Sequence, residues 1–308
     1  MKKIIITAAN SFIGYRLCHK MVENGWYVYA VVRNENSDLK GIESLENLTI
    51  IYETMQNYSY LSMQIQEKCD VGVLLAWDGT RGKDRDNVQK QKDNYVYSME
   101  GVDSFIKLGC KTIVTAGSQA EYGPWIKKKK VKETDCCNPN TEYGKYKLKL
   151  YQDALKICEE KGVRLIEPRF FSLYGPDDFA GTMIVSMLRN MLKDHVCELT
   201  QCIQMWDFLY IDDAIGALYK LICSESARGV YNFGSGVSRE LKEYVILMRR
   251  LTESKSRLLF GKVPYPATGM VNTNPSVEKL EAEVDWRPEV TFEDGIKMVI
   301  EAQKCVQK

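Results

Sequence analysis

At 308 residues with 45% hydrophobic side chains, the chain can bury a large core, which points to one large α/β domain or about two domains and away from disorder or repeats. Lys and Arg total 42 against 41 Asp and Glu, so no net field gathers nucleic acid or anionic lipid, and a small molecule is the expected partner. The ten cysteines show no CxxC spacing and the histidines, His19 and His195, no pairing, so neither a metal site nor a disulfide framework is expected.

The opening Met1 to Ile6 imitates a signal peptide, but the apolar run stops at Thr7, and Asn10 and Ser11 follow. It reads as the first strand, Lys3 to Thr7, of a cytoplasmic protein, and no stretch reaches the roughly 18 apolar residues of a membrane helix. Further β-branched runs predict strands at Tyr27 to Val32, Leu48 to Tyr52, Val71 to Ala76, Thr112 to Ala116 and Val163 to Glu167, the last leading into Pro168. Helices are expected from Ser11 to just before Gly25, from about Arg85 to Gly109, and from Tyr143 to Lys161 with Gly162 closing the last. That alternation predicts an α/β fold, a Rossmann-like doubly wound parallel sheet. Beyond Gly175-Pro176 the rhythm weakens. Residues 1–175 are therefore expected to bind a dinucleotide, with segments near 203–235 returning to that domain, and residues 176–308 to form mainly a smaller substrate-binding domain. Lys127 to Lys130, with Lys132, read as a solvated basic face, and Cys136-Cys137 receive no role.

Thr7-Ala8-Ala9-Asn10-Ser11-Phe12-Ile13-Gly14 lies where a dinucleotide pyrophosphate meets a helix N-terminus, although alanine and serine stand where glycines usually allow tight turning. Asn10 can tolerate a left-handed backbone, and the Ser11 hydroxyl can donate to a phosphate oxygen. The second expected strand ends in Val32-Arg33-Asn34, without the acid that accepts from a ribose 2′-hydroxyl. A guanidinium there suits a 2′-phosphate, so NADP(H) is preferred and NAD(H) remains open.

Tyr143 and Lys147 stand four residues apart at the start of an expected helix, hence on one face, where a nearby ammonium can lower the phenol's pKa. Ser118 follows the fifth expected strand, at the end of the sheet where such folds hold ligands. With these pieces in order, and with Tyr122-Gly123, Pro168 to Pro176, Asp207 to Asp213 and Asp285-Trp286-Arg287-Pro288 behind them, the chain resembles the extended short-chain dehydrogenase/reductase family of nucleotide-sugar epimerases, dehydratases and ketoreductases. The resemblance implies Tyr143 as general acid/base, Lys147 as holder of the nicotinamide ribose and Ser118 as the orienting hydroxyl. It implies a cofactor-facing set of Thr7, Asn10, Ser11, Phe12, Ile13, Arg33, Leu75, Ala76, Trp77 and Phe170, together with Tyr143 and Lys147. It also implies a homodimer through helices near Arg85 to Leu108 and Tyr143 to Lys161.

The family's 4,6-dehydratases carry an Asp-Glu pair directly after the catalytic hydroxyl, and its 3,5-epimerase/reductases a cysteine; here Gln119 and Ala120 occupy those places. What remains is reduction of a 4-keto-6-deoxy sugar on a nucleotide carrier, favoured by Arg33, or 4-epimerisation, or a non-catalytic NADP-binding regulator. Arg81, Gln119, Ser172 and Trp206 are the candidate substrate contacts; Ser172 and Trp206 replace the family's asparagine and pyrophosphate-binding arginine, and Arg81 and Arg85 offer charge in its stead.

Overall fold

Runs such as Ile4-Ile5-Ile6 and Val28 to Val32 have no polar face, so strands built from them must be covered on both sides. The computed structural model describes residues 1–127, 129–265 and 270–306. In chain order its strands are β1 (Lys3–Thr7), β2 (Tyr27–Val32), β3 (Leu48–Tyr52), β4 (Val71–Leu74), β5 (Thr112–Thr115), β6 (Gly117–Ser118), β7 (Arg164–Phe170), β8 (Ser172–Tyr174), β9 (Cys197–Glu198), β10 (Met205–Tyr210), β11 (Gly229–Phe233), β12 (Ser238–Glu240) and β13 (Leu258–Leu259). The helices are α1 (Gly14–Glu23), α2 (Leu61–Gln64), α3 (Val88–Lys107), α4 (Glu142–Glu160), α5 (Met183–Met191), α6 (Ile211–Cys223), α7 (Leu241–Leu251), α8 (Glu278–Val284) and α9 (Phe292–Val306).

The main sheet runs β3-β2-β1-β4-β5-β7-β11, with β6 also on β7, and its pairings are parallel. Alternation along the strands sorts the core into two layers. Ile4, Ile6, Val28 and Ala30 pack with Leu17 and Met21 of α1 and Leu218 of α6, while Ile5, Tyr29 and Val31 pack with Val102 and Phe105 of α3 and Ala154 of α4. The chain steps outward from β1 to β3 and then returns to β4 on the other side of β1, so the connections after β1 and β4 part and leave a crevice at their C-terminal ends. After β7, a three-stranded sheet, β12-β10-β8, and the pair β13-β9 stand apart from the main sheet, which β11 rejoins. Tyr174, Phe208, Tyr244 and Phe292 interlock there, with ring centroids 4.5–6.0 Å apart.

The first three strands fall where the apolar runs place them; several other boundaries move, the fifth strand stopping at Thr115 instead of Ala116 among them, and four of the shifts have local reasons. The helix expected at Ser11 starts at Gly14, because Ser11 N turns back to Ala8 O at 2.9 Å. The strand expected to reach Ala76 stops at Leu74, because the Leu75 and Ala76 amides turn to the Thr7 hydroxyl. Residues Gly82–Asp86 form a tight 3-10 turn, and Asn87 caps α3 by accepting from Lys90 N, so that helix begins after Arg85. Finally, β7 continues through Pro168 to Phe170. The 52-residue offset of β7 is the same against β5 and β6, and the gap between those two strands, Ala116, falls opposite Pro168, where proline has no N–H to give.

Candidate active site

The crevice holds a cavity of about 540 Å³ lined by Asn10, Ser11, Arg33, Leu75, Ala76 and Trp77, together with Ala8, Asn34, Asn36, Ser37 and, beyond β3, Glu53, Thr54, Met55 and Tyr58. The left-handed position in its turn belongs to Ala8, at φ 49°, and not to Asn10. The Asn10 amide instead donates to Asp38 O at 2.9 Å, drawing the loop after β2 across the turn. Ser11 Oγ accepts from Gly14 N at 3.1 Å, which caps the start of α1 and leaves the hydroxyl proton for another acceptor. A Cβ on Gly14 would lie 2.2 Å from Ala8 O, so this glycine is required for α1 to approach β1.

Thr7 is fully buried; its hydroxyl donates to Val73 O and accepts from the Leu75 and Ala76 amides, so it shapes the segment beside the cavity from beneath. Phe12 and Ile13 pack against the core under α1, with the Arg16 guanidinium 4.8 Å from the Phe12 ring. Phe170 stands edge-on to Phe233 at 5.1 Å. Arg33 is exposed at the cavity rim. Glu53, the carboxylate among the lining residues, is occupied: Oε1 accepts from Thr54 N and Asn57 Nδ2 and Oε2 from Gln64 Nε2, all within 2.9 Å.

Thr141 caps α4 by accepting from Gly144 N at 3.1 Å, which places Tyr143 and Lys147 on the first two turns of one buried face. Lys147 Nζ donates to Ala116 O at 2.7 Å and lies 3.8 Å from the centre of the Trp77 ring. The Trp77 ring meets Tyr143 edge-on at 6.2 Å and is fixed by its indole N–H donating to Gln91 Oε1 at 2.7 Å. Ser118 caps the 3-10 turn Gln119–Tyr122: its hydroxyl accepts from Ala120 N, and Glu121 accepts from Ser118 N at 2.7 Å.

Burial pushes the Tyr143 phenol above its ordinary value, opposed by the neighbouring Ser118 hydroxyl and the guanidinium of Arg85, whose carbon lies 4.7 Å from the ring centre. Lys147, turned toward Ala116 O and Trp77, is pushed down to about 7 by burial, with Glu121 and then Glu167 opposing the shift.

A second cavity of about 490 Å³ brings Gln119 and Trp206 together with Arg85 and an aromatic wall of Tyr122, Trp125 and Phe171. Arg81 instead stacks on Phe179 at 4.5 Å, and Ser172 sits in β8 opposite Phe208. The Trp206 indole nitrogen is buried without a hydrogen-bond partner. The basic run is largely engaged: Lys129 pairs with Asp135, Lys130 donates to Gly236 O, Lys132 pairs with Glu278 and Lys127 lies over Trp125. Lys128 lies outside the described residues. Two features escaped the sequence reading. The aromatic wall comes from scattered loop residues and has no periodic signal. The buried ionic cluster of Glu121, Glu167 and Arg169 had one, the charged pair flanking Pro168 directly after the apolar Leu165-Ile166.

The parallel sheet, its crevice and the side chains gathered beside it are those of a dinucleotide-dependent short-chain dehydrogenase/reductase. Within that class, the chain belongs to the NAD dependent epimerase/dehydratase family, which it matches over residues 4–234. It is similar to CDP-abequose synthase of Salmonella muenchen, at 24% identity over 97% of each chain, and to dTDP-4-dehydro-6-deoxyglucose reductase of Escherichia coli, at 25% identity over 98% of each. Among solved structures, UDP-glucose 4-epimerase of Thermotoga maritima superposes with a TM-score of 0.89 at 19% identity, covering 99% of this chain and 100% of that one. The UDP-N-acetylglucosamine 4-epimerase of Methanobrevibacter ruminantium gives 0.89 at 18% identity over 99% of each chain. These enzymes share the fold.

Proposed function

We propose that this enzyme is an NADPH-dependent ketoreductase acting at C4 of a nucleotide-activated 4-keto-6-deoxy sugar. The observation that carries the reading is a single proton donor at the reaction centre. Tyr143 stands beside Ser118, Gln119 and Ala120 cannot ionise, and the nearby carboxylates of Glu121 and Glu167 are committed to Arg169. Elimination of water needs a second acid and base, whereas reduction of one ketone needs one proton. The names of two relatives favour the same chemistry: the Escherichia coli dTDP-4-dehydro-6-deoxyglucose reductase and a dTDP-6-deoxy-L-talose 4-dehydrogenase (NAD(+)) of Aggregatibacter actinomycetemcomitans, 26% identical over 79% of this chain.

The residues fit the cofactor. The left-handed Ala8 and the close Gly14 form a turn at a helix N-terminus. Ser11 keeps its proton for a phosphate oxygen, and Arg33 faces the cavity while Glu53 is spoken for, an arrangement that favours a 2′-phosphate over a free ribose hydroxyl. Bound NADPH supplies the hydride. Tyr143 gives its phenolic proton to the carbonyl oxygen, Ser118 Oγ orients that oxygen, and the Lys147 ammonium holds the ribose and lowers the cost of the phenolate that Tyr143 becomes. Gln119 and Trp206 face the sugar-nucleotide side, with Arg85 the cation nearest to it.

Residues 1–175 with β11 form the cofactor-binding part, and residues 176–308 mainly cover the substrate. The same reading includes a homodimer through α3 and α4. Ten unpaired thiols suit a cytoplasmic setting. The test is oxidation of NADPH and NADH with a panel of nucleotide-linked 4-keto-6-deoxy sugars, with Tyr143→Phe alongside. NADPH turnover lost in the variant supports the reading. Inversion of an ordinary nucleotide hexose by NMR without net cofactor change makes the enzyme a 4-epimerase, and NADPH binding without turnover makes it a regulator.

A further inference from the structure

Ser118, Tyr143 and Lys147 are 8%, 8% and 4% exposed, and they line neither of the two cavities described above. One segment, between β4 and α3, reaches them from the side of each cavity. Trp77 lines the first cavity; the centre of its ring lies 3.8 Å from Lys147 Nζ, and the ring meets Tyr143 edge-on at 6.2 Å. Arg85 lines the second cavity, and its guanidinium carbon lies 4.7 Å from the centre of the Tyr143 ring. Two side-chain amides of α3 hold this segment in place. Gln91, fully buried, accepts from the Trp77 indole N–H at 2.7 Å and donates to Gly79 O at 3.0 Å and Asp84 O at 2.8 Å. Asn94, also buried, accepts from Asp78 N at 3.0 Å and donates to Asp78 O at 2.8 Å.

We propose that Trp77 is a gate between the cofactor cavity and Lys147, that Gln91 is the positioning residue holding it shut, and that a nicotinamide dinucleotide reaches Lys147 only after the ring turns aside. The inference rests on the Ser118, Tyr143 and Lys147 reading and deepens it. To accept from Lys147, a ribose hydroxyl must come within about 3 Å of Nζ. One N–H of that nitrogen is spent on Ala116 O at 2.7 Å, and the Trp77 ring stands between the ammonium and the cavity that the ring itself lines. Turning the ring exchanges a cation–π contact for charge-assisted hydrogen bonds to the ribose. It also leaves Gln91 Oε1 a buried acceptor without its donor, so the shut state is favoured in the free enzyme. A ligand that binds only the minor, open state shows an affinity reduced by the fraction open, and loosening the gate therefore tightens the cofactor.

The experiment compares wild type with Trp77→Phe, which loses the indole N–H, Trp77→Ala, which loses the ring, and Gln91→Leu, which loses the acceptor. NADPH and NADH are titrated by calorimetry. Acetylation of Lys147 by N-hydroxysulfosuccinimidyl acetate is timed by peptide mass spectrometry with no cofactor present. With about one net hydrogen bond removed from the shut state, Trp77→Phe should bind NADPH about fivefold more tightly than wild type. Equal or weaker binding in that variant overturns the gate, since a ring that only packs in the site gives that result. In Trp77→Ala, Lys147 should be acetylated at least about fivefold faster than in wild type, and an unchanged rate in the folded variant also overturns the proposal. Gln91→Leu should tighten NADPH as Trp77→Phe does; a folded variant with unchanged affinity removes Gln91 from its positioning role. Should Gln91→Leu not fold, Trp77→Phe breaks the same hydrogen bond from the other partner. If no form binds either cofactor while Lys147 becomes reactive in Trp77→Ala, the dinucleotide reading fails and the cover over Lys147 stands.

Discussion

The turn between β1 and α1 and the segment Ala116–Ser118 both lie at C-terminal strand ends, and they handle polar groups in opposite ways. The turn faces an open cavity and relies on backbone conformation, with Ala8 left-handed, Ser11 capping a helix and Asn10 tied to a loop. The segment is buried and relies on charge: Lys147 on one carbonyl, Glu121 on one amide, and Arg169 behind. Where water can reach, a departure from the usual residue costs little, and Ala8 and Ser11 stand in for glycines. Where water cannot, each charged group depends on its neighbours, and a single change is felt by all of them.

That contrast is sharpened most by removing chemistry from the buried side without disturbing its packing. Tyr143→Phe deletes one hydroxyl on a ring already held by Trp77 and Arg85. It should lower kcat by roughly 10²- to 10⁴-fold while leaving cofactor affinity and the unfolding midpoint near wild type. Steady-state kinetics beside calorimetric titration of NADPH separates the two; retained turnover would remove Tyr143 from the reaction.

Lys147→Met breaks the comparison from the other direction, because the buried charge that activity needs is costly for the fold. The amine's value falls from 10.5 to about 7 on folding, so its cost to stability is absent above about 10.5, grows as pH falls, and is complete below about 7. The variant should therefore be inactive, yet more stable than wild type near about pH 6, by on the order of a few kcal/mol, with the gain fading toward about pH 10. Urea unfolding at several pH values checks the slope. A variant less stable at every pH would mean that the contacts to Ala116 O and Trp77 outweigh desolvation.

The same physical division explains how much was legible before the structure. The β1, β2 and β3 boundaries follow from apolar runs ended by polar residues, and Tyr143 with Lys147 follows from helical spacing, because both are local rules. Long-range pairings were not legible. Nothing near Thr7 says that its hydroxyl will hold residues 75 and 76, and nothing near Pro168 says that its strand continues because β11 and β6 meet it on either side. Asn10 looked like the left-handed residue by type, but its amide had a partner in Asp38, and the turn placed Ala8 there instead.

On the open side, Arg33→Ala tests whether one exposed guanidinium selects the cofactor. An exposed charge-assisted hydrogen bond contributes about 1.5 kcal/mol, so the preference for NADPH over NADH should shrink roughly tenfold, through KM for NADPH with kcat little changed. An unchanged ratio would place the 2′-phosphate elsewhere or remove it from the reading.

The smallest effect belongs to Ala8→Gly. A left-handed alanine is strained by roughly 1–2 kcal/mol, and glycine, free of that strain, loses about 0.5–1 kcal/mol more in chain entropy on folding. The difference predicts a gain of about 0.5–1 kcal/mol in chemical denaturation, with NADPH affinity unchanged because the turn already holds the conformation a glycine would adopt. Tighter NADPH binding in the variant would instead mean that the Ala8 methyl keeps the pyrophosphate from the backbone. Lower stability would mean that the methyl packs well enough to offset its strain, and the open turn would then be no more tolerant than the buried segment across the crevice from it.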